Sequence, residues 1–106
     1  MSIDLKGSGY VSMQGSSWNA VQEIAREFGW TLKYESRTEE ERGPGDYGEV
    51  IPQDNARALA KALYKAIHAI ETDCLSKRLV KLAREAQVRN LRAVADLAVV
   101  GRFYVD

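Results

Sequence analysis

The chain has 106 residues, 15 basic and 15 acidic side chains, one histidine and one cysteine. Its length specifies one domain with enough interior for a core, and its zero net charge excludes global steering toward nucleic acid or a membrane surface. The lone Cys74 excludes an internal disulfide and fits a reducing cytoplasm, and no Cys/His cluster is spaced for zinc.

The opening Met1-Ser2-Ile3-Asp4-Leu5-Lys6 lacks the apolar stretch of a signal peptide. No apolar run of about 18 residues follows anywhere, so no membrane span is expected. Residues 1–15 are Gly/Ser-rich, with Tyr10-Val11-Ser12-Met13 as a brief strand. A first helix follows, with Ser16 or Ser17 as N-cap and Trp18, Val21, Ile24, Ala25 and Phe28 on its apolar face. Gly29 sits where a left-handed C-terminal residue belongs, and Trp30 folds back on the helix end. Leu32 and Tyr34 alternate with polar residues in a short extended segment. Residues 36–46 combine a Glu-rich run with Gly43-Pro44-Gly45, the pattern of a solvated, mobile loop.

Glu49-Val50-Ile51 is extended up to Pro52. Pro52 and Asp54 open a second helix to Glu71, with Ala56, Leu59, Ala60, Leu63, Ile67 and Ile70 on one face. Arg57, Lys61, Lys65 and His68 fall on the other face. Thr72-Asp73-Cys74 leads tightly into a third helix near Leu75, striped by Leu75, Leu79, Leu82 and Ala86; so short a link predicts that these two helices are antiparallel neighbours. Asn90 can cap a fourth helix from Leu91 to about Val99, unless the third continues through it; either way the segment is apolar nearly all round except for Asp96. That composition suits a central helix or an interface. Gly101 ends it, and Arg102-Phe103-Tyr104-Val105 alternates as a strand expected to pair with Val50-Ile51 or with the Tyr10 segment. The expected fold is therefore mainly α within the α+β class: three or four helices in a single domain with a two- or three-stranded β element.

Charge divides the chain. Residues 1–50 hold 5 basic and 9 acidic side chains (5 − 9 = −4), and residues 51–106 hold 10 and 6 (10 − 6 = +4). Either the halves complement each other internally, or the surface is sign-segregated for a partner. Candidate protein contacts are the acidic Glu39, Glu40 and Glu41 and the basic Lys77, Lys81 and Arg84, the latter within a stretch that includes Arg78, Arg89 and Arg92. That stretch has no interleaved aromatic for base stacking and no helix-turn-helix turn, which argues against nucleic acid. Trp30, Tyr34, Tyr47 and Tyr104 flank the 36–46 loop and could line a pocket under it, the alternative function being a small-molecule-binding module or minor enzyme; with Trp18 and Phe103 the same aromatics serve as core. Arg92 stands one turn before Asp96 and is its expected ion-pair partner. His68 lies on a polar helix face with no nucleophile at triad spacing, so no catalytic residue is nominated. No cofactor or metal site is expected, since three consecutive glutamates do not match a calcium loop. The apolar surplus of Val94, Leu97 and Val100 predicts a two-fold homodimer.

The order Trp18-x-x-Val-x-x-Ile-Ala-x-x-Phe-Gly29-Trp30, then Tyr47, then Ile51-Pro52-Gln53-Asp54-Asn55-Ala56-Arg57-Ala58-Leu59-Ala60-x-Ala62-Leu63, then Gly101-x-Phe103-x-Val105 resembles a group of small, functionally uncharacterised bacterial proteins. They share a Gly-Trp after a short first helix and a V-(S/P)-x-x-(D/N)-A-x-x-L-A-x-A-L helix. The resemblance implies a fold and carries no catalytic residue. In size and composition such proteins are similar to mobile gene-cassette products and toxin-neutralising immunity proteins, which implies a cytoplasmic, non-enzymatic protein-interaction module.

Overall fold

The computed structural model of the chain describes residues 2–32 and 50–106 in full and residues 35, 36 and 49 by their backbone. The 36–46 loop, except the backbone of Ser36, therefore lies outside the described residues, as do Tyr34, Glu39, Glu40, Glu41 and Tyr47. In chain order the described elements are β1 (Ser2–Lys6), β2 (Tyr10–Gln14), α1 (Gly15–Glu27), β3 (Glu35–Ser36), β4 (Glu49–Ile51), α2 (Gln53–Glu71), α3 (Lys77–Ala86), α4 (Val88–Val100) and β5 (Phe103–Val105). The class is α+β, as expected.

The sheet is larger than the two or three strands expected. It is antiparallel and five-stranded among the described residues, in the order β2-β1-β5-β4-β3. The strand missing from the sequence reading is β1. It forms a hairpin with β2 in unbroken register from Ser2↔Gln14 to Lys6↔Tyr10 around Gly7-Ser8-Gly9. Gly7 is required there, because a Cβ would meet Phe103 Cβ at 3.0 Å, the Arg102 carbonyl at 3.2 Å and Leu97 Cδ1 at 3.2 Å. The closing strand β5 pairs with β4 as expected (Val50↔Tyr104, Ile51↔Phe103), and its other edge takes β1 (Leu5↔Val105) rather than the Tyr10 segment.

Alternation along the strands aims Leu5, Met13, Ile51 and Phe103 into one core shared with the helices. α1 contributes Trp18, Val21, Ile24 and Ala25; α2 contributes Leu59, Leu63 and Ile67; α4 contributes Leu91, Val94 and Ala98. The molecule is thus two layers, helices on one face of a sheet. The helix ends are closed by backbone chemistry. After α1, Trp30 N–H bonds the Ala25 carbonyl and Gly29 N–H bonds the Arg26 carbonyl, with Gly29 at φ 97°, a Schellman arrangement. α2 ends the same way, Cys74 N–H to Ala69 and Asp73 N–H to Ile70, with Asp73 at φ 54°. Ser76 Oγ accepts from Leu79 N–H and starts α3 two residues later than Leu75 suggests. Ser17 is no N-cap. Gln14 holds that position, and the buried Ser17 hydroxyl donates to the Glu85 carbonyl of α3 at 3.1 Å.

Three expectations are corrected. First, α3 packs against α1 rather than α2, secured by Ser17 and by an Arg78–Glu27 ion pair, while α4 runs along α2. The chain reverses at Gln87, whose φ of 68° breaks α3 from α4. Second, Val94 and Leu97 are core residues, at 0% and 5% exposure, so they are no surface for a second copy; of the three residues expected at an interface only Val100, 57% exposed, is outside. Third, α4 is not buried all round. Its outer arc carries Val88, Arg92, Asp96 and Val99, while Ala95 and Ala98 let it approach α2 closely.

Candidate functional site

The face where α2 and α4 lie side by side carries the candidate site. The helical repeat of α2 stacks Arg57, Lys61, Tyr64, Lys65 and His68 along its outer side, opposite the buried Leu59, Leu63 and Ile67. α4 supplies Val99. Together these residues line an open groove of about 540 Å³. Every ionisable side chain in its walls except Tyr64 is basic, and its floor is the Tyr64 ring and Val99, 38% and 46% exposed.

Two contacts between the helices and one within α2 hold the groove in shape. Arg92 pairs with Glu71 at 3.1 Å at one end. Tyr64 O–H donates to Asp96 Oδ1 at 2.7 Å in the middle. Near the other end Gln53 Oε1, in the amide orientation that satisfies its neighbours, accepts from both Arg57 terminal nitrogens at 3.1 and 3.2 Å. The expected Arg92–Asp96 pair is thus replaced by two contacts to α2. Arg92 and Asp96 lie on the exposed arc of α4 beside α2, and there they contact Glu71 and Tyr64 instead of each other. Lys61 and Lys65 form no ion pair among the described residues, so their charge is directed at solvent or a partner.

The Asp96 hydrogen bond holds the Tyr64 phenol above its usual range; partial desolvation and the Asp96 charge add to this, and Arg92 opposes it. A raised pKa means that the bond favours the protonated phenol, so its contribution is lost as pH rises through the tyrosine range and the phenolic proton leaves. Asp96→Asn should therefore bring one tyrosine down in an ultraviolet titration, and Tyr64→Phe should delete that same late-titrating tyrosine. A wild-type titration in which no tyrosine is late would contradict the bond.

The structure disperses the aromatic candidates. Trp30, 3% exposed, is inside: its indole N–H donates to the Asn55 carbonyl at 3.2 Å, and Asn55 Nδ2 donates to the Thr31 carbonyl at 2.7 Å. It is a core residue, and the expectation that it lines a pocket is corrected on that ground. Tyr104 alternates with buried Phe103 and so faces away from the core; its hydroxyl accepts from Arg102 Nη2 at 2.8 Å, with the guanidinium 5.3 Å from the ring centroid. Trp30 and Tyr104 are not brought together. Of the basic candidates, Lys77, Lys81 and Arg84 share one exposed face of α3 and form no ion pair among the described residues. Arg78 and Arg92 are occupied by Glu27 and Glu71, and Arg89 Nε donates to Gln87 Oε1.

No group of His, Cys, Asp and Glu among the described residues could hold a metal ion. No helix among them is long and apolar enough to cross a membrane. The chain matches no family model, no curated protein and no solved structure. The basic row of α2 was visible in the sequence as a polar face. Its completion by Val99 and Asp96 was not, since that requires α4 to lie along α2.

Proposed function

We propose that the chain is a non-enzymatic protein-interaction module that receives an acidic protein surface in the α2–α4 groove. The observation that carries this reading is the groove's composition: Arg57, Lys61, Lys65 and His68 around a floor of Tyr64 and Val99. An apolar floor inside a mainly basic rim suits a partner that offers carboxylates around an apolar anchor. A phosphate backbone would use the rim and leave the floor unused, which ranks nucleic acid second. The open shape suits a protein face better than an enclosed small molecule. Neutralising another cytoplasmic protein, as immunity proteins do, is one role within this class.

The test is recovery of partners from the source cell with the wild-type chain and with Lys61→Glu/Lys65→Glu, followed by binding measurements on the purified pair. The double reversal should weaken binding at least about tenfold and flatten its salt dependence, with circular dichroism unchanged because both side chains are exposed. Recovery of nucleic acid, or of a protein whose affinity ignores the reversal, would overturn the reading.

A further inference from the structure

We propose that the outer edge of β2 is an interface for a second copy of this chain, the two β2 strands pairing antiparallel about Ser12 on a two-fold axis. The directions of the backbone groups lead to it. Asp4 N–H and C=O both bond Asp106, at 2.9 and 2.8 Å, and therefore point toward β5. Asp4 lies opposite Ser12, so that pair exchanges no backbone bonds. The N–H and C=O of Ser12 consequently point away from β1, to the open edge, and alternation sends the Tyr10 and Gln14 N–H groups the same way.

Native sheets guard such an edge with charge, proline or a bulge. β2, Tyr-Val-Ser-Met-Gln, has none of these, and its register with β1 is unbroken. The strand is also self-complementary. Pairing about Ser12 sets Val11 against Met13 of the partner subunit on the helix side and Tyr10 against Gln14 of the partner subunit on the other, with no like charges opposed. Beside the edge, Tyr10, Val11, Ala93, Asp96 and Leu97 line an open notch of about 300 Å³, where a second strand's side chains would enter. Val100, 57% exposed, lies seven residues after Ala93 on the same side of α4. The dimer expected from α4's apolar surplus is thereby moved to the sheet edge, with α4 flanking it.

The experiment is sedimentation across the micromolar range. The wild-type chain should be a dimer. Ser12→Pro removes an N–H that bonds nothing among the described residues and should raise the dissociation constant at least about tenfold. Ser12→Ala, which loses the hydroxyl and keeps the N–H, should remain dimeric. In a Cys74→Ser background, Ser12→Cys should oxidise to a covalent dimer, because a hydrogen-bonded antiparallel pair sets Cα atoms about 5.5 Å apart, within disulfide reach. A monomeric wild type, a dimer that Ser12→Pro leaves intact, dissociation by Ser12→Ala, or no cross-linking of Ser12→Cys would each overturn the proposal. None of these substitutions touches the α2–α4 groove, so failure here is distinguishable from failure of the hetero-partner reading.

Discussion

Phe103→Ala should lose about 3–5 kcal/mol of folding stability, the range for emptying a buried aromatic site. The ring is completely buried and comes from β5, which alone joins the N-terminal β1–β2 hairpin to the β4–β3 pair. A Cβ on Gly7 would meet its Cβ at 3.0 Å, so the hairpin loop is fitted to this side chain as well. Removing the ring opens a cavity at the seam between sheet and helices, where strands paired on both sides cannot collapse to fill it. For a domain of this size total stability is about 5–15 kcal/mol, so the variant should sit close to unfolding, with a midpoint lowered by roughly 12 °C or more. Phe103→Leu should recover most of the loss. Chemical denaturation of the three proteins decides it, and a loss below about 1 kcal/mol would show that the two layers are not packed around this ring.

The legible parts of the fold are those written in local periodicity. Trp18, Val21 and Ile24, or Leu59, Leu63 and Ile67, recur at helical spacing and are buried; Gly29 takes the positive φ that its position after a helix demands. The alternation of Phe103 and Val105 led to a strand and to its pairing with Val50-Ile51. β1 was present in the same form, Ile3-Asp4-Leu5-Lys6 alternating before Gly7-Ser8-Gly9, a hairpin signal hidden among glycine and serine. The helix partners were not legible. The link Thr72 to Ser76 says where α2 stops and α3 begins, and nothing in it selects α1 as α3's neighbour. That choice is made at long range by the Ser17–Glu85 hydrogen bond and the Glu27–Arg78 ion pair, and by the turn at Gln87 that sends α4 back along α2. The acidic and basic halves do meet at Glu27–Arg78, although most of the acidic run lies outside the described residues.

The same distinction governs the candidate site. Arg57, Lys61, Lys65 and His68 form a row readable from helical spacing alone. Whether that row is a solvated face or one wall of a groove depends on what lies beside it. Tyr64, on the same outer side of α2, becomes the groove's floor because Asp96 holds its hydroxyl. Asp96 read in sequence as an odd carboxylate in an apolar run; in three dimensions it is the tether that fixes the ring. A polar residue retained in an apolar segment is best understood by asking which neighbouring element it reaches.

Trp30→Ala should also lose about 3–5 kcal/mol, and Trp30→Phe about 1–3 kcal/mol, because the two changes remove different things. The indole body fills the junction where α1 ends and α2 begins, buried to 3% exposure. Its N–H is one half of a clasp: it donates to the Asn55 carbonyl, while the Asn55 side chain donates back to the Thr31 carbonyl. Phenylalanine keeps most of the packing and leaves the Asn55 carbonyl without the indole donor, so its cost is a buried hydrogen bond. Alanine removes the packing too. Asn55→Ala should resemble Trp30→Phe in size, and the Trp30→Phe/Asn55→Ala double variant should cost less than the sum, since both break one clasp. Denaturant unfolding of the four proteins gives the cycle directly. A Trp30→Ala protein of unchanged stability would return this residue from the core to the list of candidate binding residues, whereas additive losses would show that the two halves of the clasp act independently.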